Sequence, residues 1–297
     1  MVNNSNSIFN PVDLSELFQF LWKQRKRYIL ATILLGLTSS CIAMFLPKIW
    51  VSDAIILEVG GDTKKGSSSG MLAELTGINI SGQAGKTLDL VKRRLMTKDF
   101  YKHMISINPD FYRDLIAIKA FNEELRLNIY DSKIYNLKNA EWIAEPSFYD
   151  GYKIYLNTVK AGFLDEKTGN FLVIRAEHRS PIAAQFLVQQ VITQINELKR
   201  AEDIQDAQIT LDYLQKEILK TNQISIKAAI NGLIENQVKT KTFAYVKNDY
   251  LIKPLDTAYI PEKRSKPNRK NFVIFITFLG LFALTFFYCI QVFLQKK

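Results

Sequence analysis

Cysteine and histidine are scarce: the 297 residues include two of each. Cys41 and Cys289 both fall inside long apolar runs, so the polar part of the chain holds no thiol and no disulfide framework. They read as small apolar residues, since a bridge between two such runs demands matched depth and facing. His103 and His178 stand apart from any cysteine or paired carboxylate, which removes the usual metal-ligand spacings. Gly-x-Ser-x-Gly elbows and Cys–His signatures are missing too. The adjacent carboxylates Glu123, Glu124 and Asp165, Glu166 lie in polar stretches and read as solvated. No catalytic, cofactor-binding or metal-binding residue is therefore assigned, and an enzyme is the poorer expectation.

One stretch looks like an exception. "SGQAGKT", Ser81–Thr87, ends in the Gly-Lys-Thr that closes a nucleotide-binding P-loop. That loop needs another glycine five positions before Gly85, so that its backbone N–H groups can wrap a phosphate, and Ile80 stands there instead. No buried strand precedes it to aim the loop, and a flexible connector is the better reading.

Charge is absent from two long runs. Tyr28–Pro47, "YILATILLGLTSSCIAMFLP", and Asn271–Gln295, "NFVIFITFLGLFALTFFYCIQVFLQ", each reach the length of roughly 20 residues that crosses a hydrocarbon core as a helix. The first is too long and lacks the small-x-small site of a cleaved signal. Lys23, Arg25, Lys26 and Arg27 precede it and should stay in the cytoplasm; Lys296 and Lys297 agree. The opposing cluster Lys263, Arg264, Lys266, Arg269, Lys270 counts less, because a segment longer than about 60 residues is translocated largely regardless of charge. The expected organisation is a cytoplasmic segment over 1–27, a span over 28–47, an exported domain over 48–270, a second span over 271–294 and a tail over 295–297. In a bacterium the exported domain is periplasmic, away from ATP.

Around the first span, Asp13–Trp22 spaces Leu14, Leu17, Phe18 and Leu21 like a helix lying on the inner membrane face. Within the span, Thr32, Gly36 and Ser40 recur every four residues as a small-residue packing face, and Gly280 offers a matching site on the second span.

In the exported domain, "KIWVSDAIILEV" reads as a strand and "GGDTKKGSSSG" as a loop. Lys86–Ile107 reads as one amphipathic helix that Asn108 and Pro109 end, and 110–140 as helical with breaks. "GYKIYLNTVK" and "NFLVIRAEH" read as a hairpin of two strands. Ser180 as cap and Pro181 as first residue then open a run of about 40 residues with a helical apolar stripe, roughly 60 Å long. "NQISIKAAINGLIENQVK" returns as a second helix, so the arm spans about 181–240, and "TFAYVKNDY" and "LDTAYIP" read as strands. The fold class is α+β: two transmembrane helices flank a membrane-proximal α/β base, with an antiparallel or mixed sheet, and a long extended helical arm. The stripe through Val191, Leu198 and Leu211 is expected to hold the hairpin partner or neighbouring arms in a homo-oligomer, with Asp203 on the opposite face.

The net charge of +10 points to an anionic partner. Nucleic acid is excluded by the topology. The basic segment before the second span meets phospholipid headgroups most simply, with a glycan or lipid-diphosphate as the sharper alternative.

The chain resembles the bacterial polysaccharide co-polymerases, the Wzz-type chain-length determinant family. The resemblance is most specific in "LIENQVKTKTFAYVKNDYLIKPLDTAYIPEKRSKPNRK", similar to the family's final strands and proline-rich segment, with Pro254, Pro261 and Pro267 in place. "DLSELFQFLWKQRKRYIL" resembles the cytoplasmic lead-in, and "LAELTGINISGQAG" the glycine-rich loop after the first strand. Arg264 and Thr257 stand where many members carry proline. The resemblance implies a non-enzymatic inner-membrane homo-oligomer, without cofactor, that sets the modal length of O-antigen or a related glycan made by a separate polymerase. With only residues 295–297 after the second span, no cytoplasmic kinase domain is expected there, which sets the chain apart from the tyrosine-kinase branch of that family. A capsule-export subunit of the same family and a membrane adaptor for a cytoplasmic kinase are the alternatives.

Overall fold

The computed structural model describes residues 25–59 and 84–295. The expected surface helix over 13–22 and the loop after the first strand lie outside the described residues. The chain divides into two units, Met1–Lys48 with Ser265–Lys297, and Ile49–Arg264.

In the first unit, α1 (Arg25–Phe45) and α8 (Arg269–Gln295) are the two apolar helices, each long enough to cross a membrane. They pack on each other, and a Cβ placed on Gly280 would meet Leu35 Cδ1 at 2.7 Å. The sheltered face of α1 runs through Thr32, Leu35, Gly36, Ser39 and Ala43, whereas Ser40 is exposed and a Cβ on Gly36 would meet nothing. The expected four-residue step through Ser40 thus gives way to alternating steps of three and four, the period of a left-handed seam.

In the second unit, β1 (Trp50–Glu58) alternates buried and half-buried residues and is central in an antiparallel sheet. Its order is β6 (Val159–Phe163), β7 (Leu172–His178), β1, β8 (Ile252–Asp256). Pro254 sits in β8 opposite Ile56, at the sheet's edge and beside a register shift, where a missing N–H is tolerated.

The expected helix over 86–107 is two: α2 (Ala84–Leu95) and α3 (Lys98–Ile107). Thr97 breaks it, its hydroxyl accepting the Phe100 N–H at 3.2 Å as an N-cap. Gly85, Lys86 and Thr87 lie within α2, and the Thr87 hydroxyl bonds the Glu58 carboxylate. Asn108 closes α3 and caps α4 (Pro109–Ala117). The region read as broken helix then forms two small hairpins, β2 (Ile118–Asn122) with β3 (Leu127–Tyr130) and β4 (Tyr135–Asn136) with β5 (Glu141–Trp142). "GYKIYLNT" is a helix, α5 (Phe148–Thr158), capped by Ser147, and only "VKAGF" forms the strand that pairs with β7. Tyr152, Ile154 and Leu156 alternate as a strand would, but Gly151, Tyr155 and Thr158 make the buried helical stripe.

The long helix α6 (Pro181–Ile218) begins at Ser180 and Pro181 as expected, and α7 (Ile224–Val246) packs back along it. "TFAYV" belongs to α7, with Ala244 buried, so no strand forms there. The first four turns of α6 belong to the base: Leu187, Val188, Val191 and Ile195 join Ile56, Tyr155, Leu172 and Ile174 in its core.

Candidate functional site

Two arrangements in the second unit bear on function: the root of the arm, and a cleft in the base.

At the root, α6 presents Asn196, Arg200 and Asp203 at helical spacing to the chain that follows α7. Asn196 is buried; its Oδ1 accepts the N–H groups of Leu251 and Ile252, each at 2.9 Å, and its Nδ2 donates to the Ile252 carbonyl at 2.9 Å. Arg200 Nη2 donates to the carbonyls of Lys247 and Asn248 at 2.6 Å, which completes the end of α7. Tyr250 donates to Asp203 at 2.7 Å, and Lys199 pairs with the same carboxylate. Burial, and next the Asp203 bond, raise the Tyr250 phenol above its ordinary range, so it stays a donor. This polar ladder sets where β8 starts. Asp203, expected on an idle face, is one of its rungs.

The stripe residues divide along α6. Val191 is fully buried in the base, Leu198 packs against that core, and Leu211 is buried farther along the arm with Ala207 and Leu214. Val191 is therefore enclosed by its own chain. Ile209, Tyr213, Leu233, Val238 and Tyr245 leave apolar surface on the arm exposed.

The cleft forms at the other end of α6. Trp50, buried at the start of β1, meets Phe121 edge to face at 5.7 Å between ring centres. Beyond Phe121, Asn122 Oδ1 accepts the N–H groups of Glu124 and Leu125, closing a turn that puts Arg126 in the left-handed region at φ 52°. Pro181 and Ile182, the first turn of α6, form the next wall. Ser180 caps that turn by accepting the Ala183 N–H. His178 Nδ1 in turn accepts the Ser180 N–H at 3.2 Å, and a bond to the Leu115 backbone uses its ring as well. Burial pushes the His178 imidazole down to about 4, so it is neutral at pH 7.

The last wall is the segment after β8. Ser52 donates to the Tyr259 carbonyl at 2.7 Å and Gln185 to the Ala258 carbonyl at 3.1 Å, which fixes Ile260–Arg264 along the cleft. Of the expected proline-rich basic residues, Pro261, Lys263 and Arg264 line the cleft. Pro254 is in β8, while Pro267, after a cis peptide bond, and Arg269 and Lys270, which open α8, belong to the other unit. The cleft encloses about 770 Å³. Arg126 and Phe121 escaped sequence reasoning because helix with breaks was expected where their hairpin stands, and Glu123, read there as a solvated carboxylate, lines the cleft. Groups of His, Cys, Asp and Glu suited to a metal are not found among the described residues.

The class defined by these features is an α+β protein with two apolar helices at its ends and a helical hairpin rooted in an antiparallel base. Residues 10–103 match the family model "Wzz: Chain length determinant protein", so this part of the chain is similar to that family. Two of the three quoted stretches lie within it; the run from Leu233 to Lys270 lies beyond. Among solved structures, a full-length bacterial polysaccharide co-polymerase is similar at TM-score 0.41 and 13% identity, over 97% of this chain and 99% of that one. A fragment of WzzB, a polysaccharide co-polymerase from Salmonella Typhimurium, is similar at TM-score 0.30 and 13% identity, over 74% and 100%. Curated proteins gave no match.

Proposed function

We propose that this protein is a polysaccharide co-polymerase that regulates the modal chain length of lipopolysaccharide O-antigen, or of a related glycan, made by a separate polymerase. The observation that carries the reading is the chain-length determinant match over residues 10–103. In this reading both termini are cytoplasmic, α1 and α8 span a bacterial inner membrane, and the base and arm are periplasmic. The protein does no chemistry itself. Copies assemble side by side through the apolar residues exposed on the arm, such as Ile209, Tyr213 and Leu233. The basic segment before α8 meets phospholipid headgroups or a lipid-linked glycan.

Gel analysis of surface polysaccharide from a deletion strain, with and without the gene restored, tests the reading. A modal band cluster that collapses to a broad distribution on deletion and returns on complementation is expected. An unchanged distribution refutes it.

A further inference from the structure

We propose that the basal cleft is a binding site for a phosphate ester with an organic body of drug-like size. Arg126, Lys263 and Arg264 line it against two carboxylates, Glu123 and Glu262. Glu123 is already engaged in an interaction of its own, while the three cations have no ion pair or hydrogen bond among the described residues. Four arginines elsewhere in the base and arm root are paired by contrast: Arg94 with Glu202, Arg113 with Asp110 and Asp114, Arg175 with Asp53, and Arg200 with Glu197.

The walls are held before any ligand arrives. The Asn122 turn, the capped first turn of α6 and the bonds from Ser52 and Gln185 each fix one side, so little ordering remains to be done on binding. The start of the 38-residue α6 adds the positive end of its dipole. Two guanidiniums favour a phosphate, whose oxygens they can bridge in pairs. A phosphate alone leaves most of about 770 Å³ empty, and the apolar lining of Phe121, Ile182 and Pro261 suits a sugar ring or glycerol beside it. Trp50 follows the end of α1 by five positions and Arg264 precedes α8 by five, so in the proposed topology a lipid headgroup or a lipid-linked sugar phosphate is the source at hand. The choice of source rests on that topology; the chemistry of the cleft does not.

The test uses the full chain in phosphatidylcholine nanodiscs, titrated with glucose 1-phosphate and, as control, glucose, by calorimetry or saturation-transfer NMR. A second set of discs contains phosphatidylglycerol, whose retention by the purified protein is read by mass spectrometry. Saturable binding of glucose 1-phosphate but not glucose assigns a sugar phosphate; selective retention of phosphatidylglycerol assigns a headgroup. Either preference should weaken roughly tenfold in Arg126→Ala and in Lys263→Ala/Arg264→Ala. Arg126→Gly relieves the left-handed backbone while removing the charge, so it should fold at least as well and bind as weakly. Wild type that prefers neither phosphate compound, or variants that keep the wild-type preference, overturn the site. Polymer length is not measured, so this proposal and the proposed function fail separately.

Discussion

Replacing Asn196 with alanine should detach the last strand from the long helix. The side chain is 4% exposed and makes three bonds of 2.9 Å to the backbone of Leu251 and Ile252. Alanine leaves two N–H groups and one carbonyl without their partner, and each buried orphan costs about 1–3 kcal/mol. Because β8 is an edge strand, water can reach part of the gap, and the lower end applies: about 3 kcal/mol in total. That is a large share of the stability of a typical domain. Asn196→Asp keeps the acceptor but sets a carboxylate against the Ile252 carbonyl, so it should not restore the loss. Hydrogen exchange on the full chain in detergent locates the effect, with faster exchange at Leu251 and Ile252 and little change at Ile174 in the centre of the sheet. Thermal unfolding measures its size. Unchanged exchange at those two amides, or a loss under about 0.5 kcal/mol, would refute the argument that the side chain anchors β8.

The buried His178 links stability to acid. Its folded pKa of about 4 lies below the ordinary 6.5, so its contribution is fully present above about pH 6.5 and falls away as pH drops toward 4, by about 3 kcal/mol. His178→Gln should flatten that slope in urea titrations between pH 4 and 7. A Cβ on Gly151 would overlap the Tyr101 hydroxyl, which is itself buried without a partner. Gly151→Ala should therefore cost about 1–3 kcal/mol in thermal unfolding, and adding Tyr101→Phe should recover most of it. Leu211→Glu places a charge in the buried seam of the arm, at a cost of several kcal/mol, and should broaden the polymer length distribution without stopping polymerisation. Loss of all polymer at normal protein level would point to a direct part in synthesis. Alkaline phosphatase fused in the loop between β6 and β7 should be active, and fused after Lys297 inactive; the reverse would overturn the topology.

The sequence alone determined the features whose cause is local. Two uncharged runs of sufficient length define α1 and α8, because the bilayer test is one of length and hydropathy. Ser180 followed by Pro181 starts α6 where it does because cap and first residue act within one turn. The central strand β1 was legible from its β-branched and aromatic run. Tertiary structure decided what short segments become when their pattern suits two periods. Tyr152, Ile154 and Leu156 alternate, yet Ser147 caps a helix whose Tyr155 is buried among Phe111, Tyr101 and the sheet. It also moved the packing face of α1 from Ser40 to Ser39 and Ala43, since only a partner helix selects between steps of three and four. The candidate site was half visible: the cations Lys263 and Arg264 stand in a plain basic run. Arg126 comes from a hairpin more than 130 positions earlier, and Asn196 acts on a strand more than 50 positions later. Such partners are joined by sheet order and helix packing, so the sequence displays the residues but not their meeting.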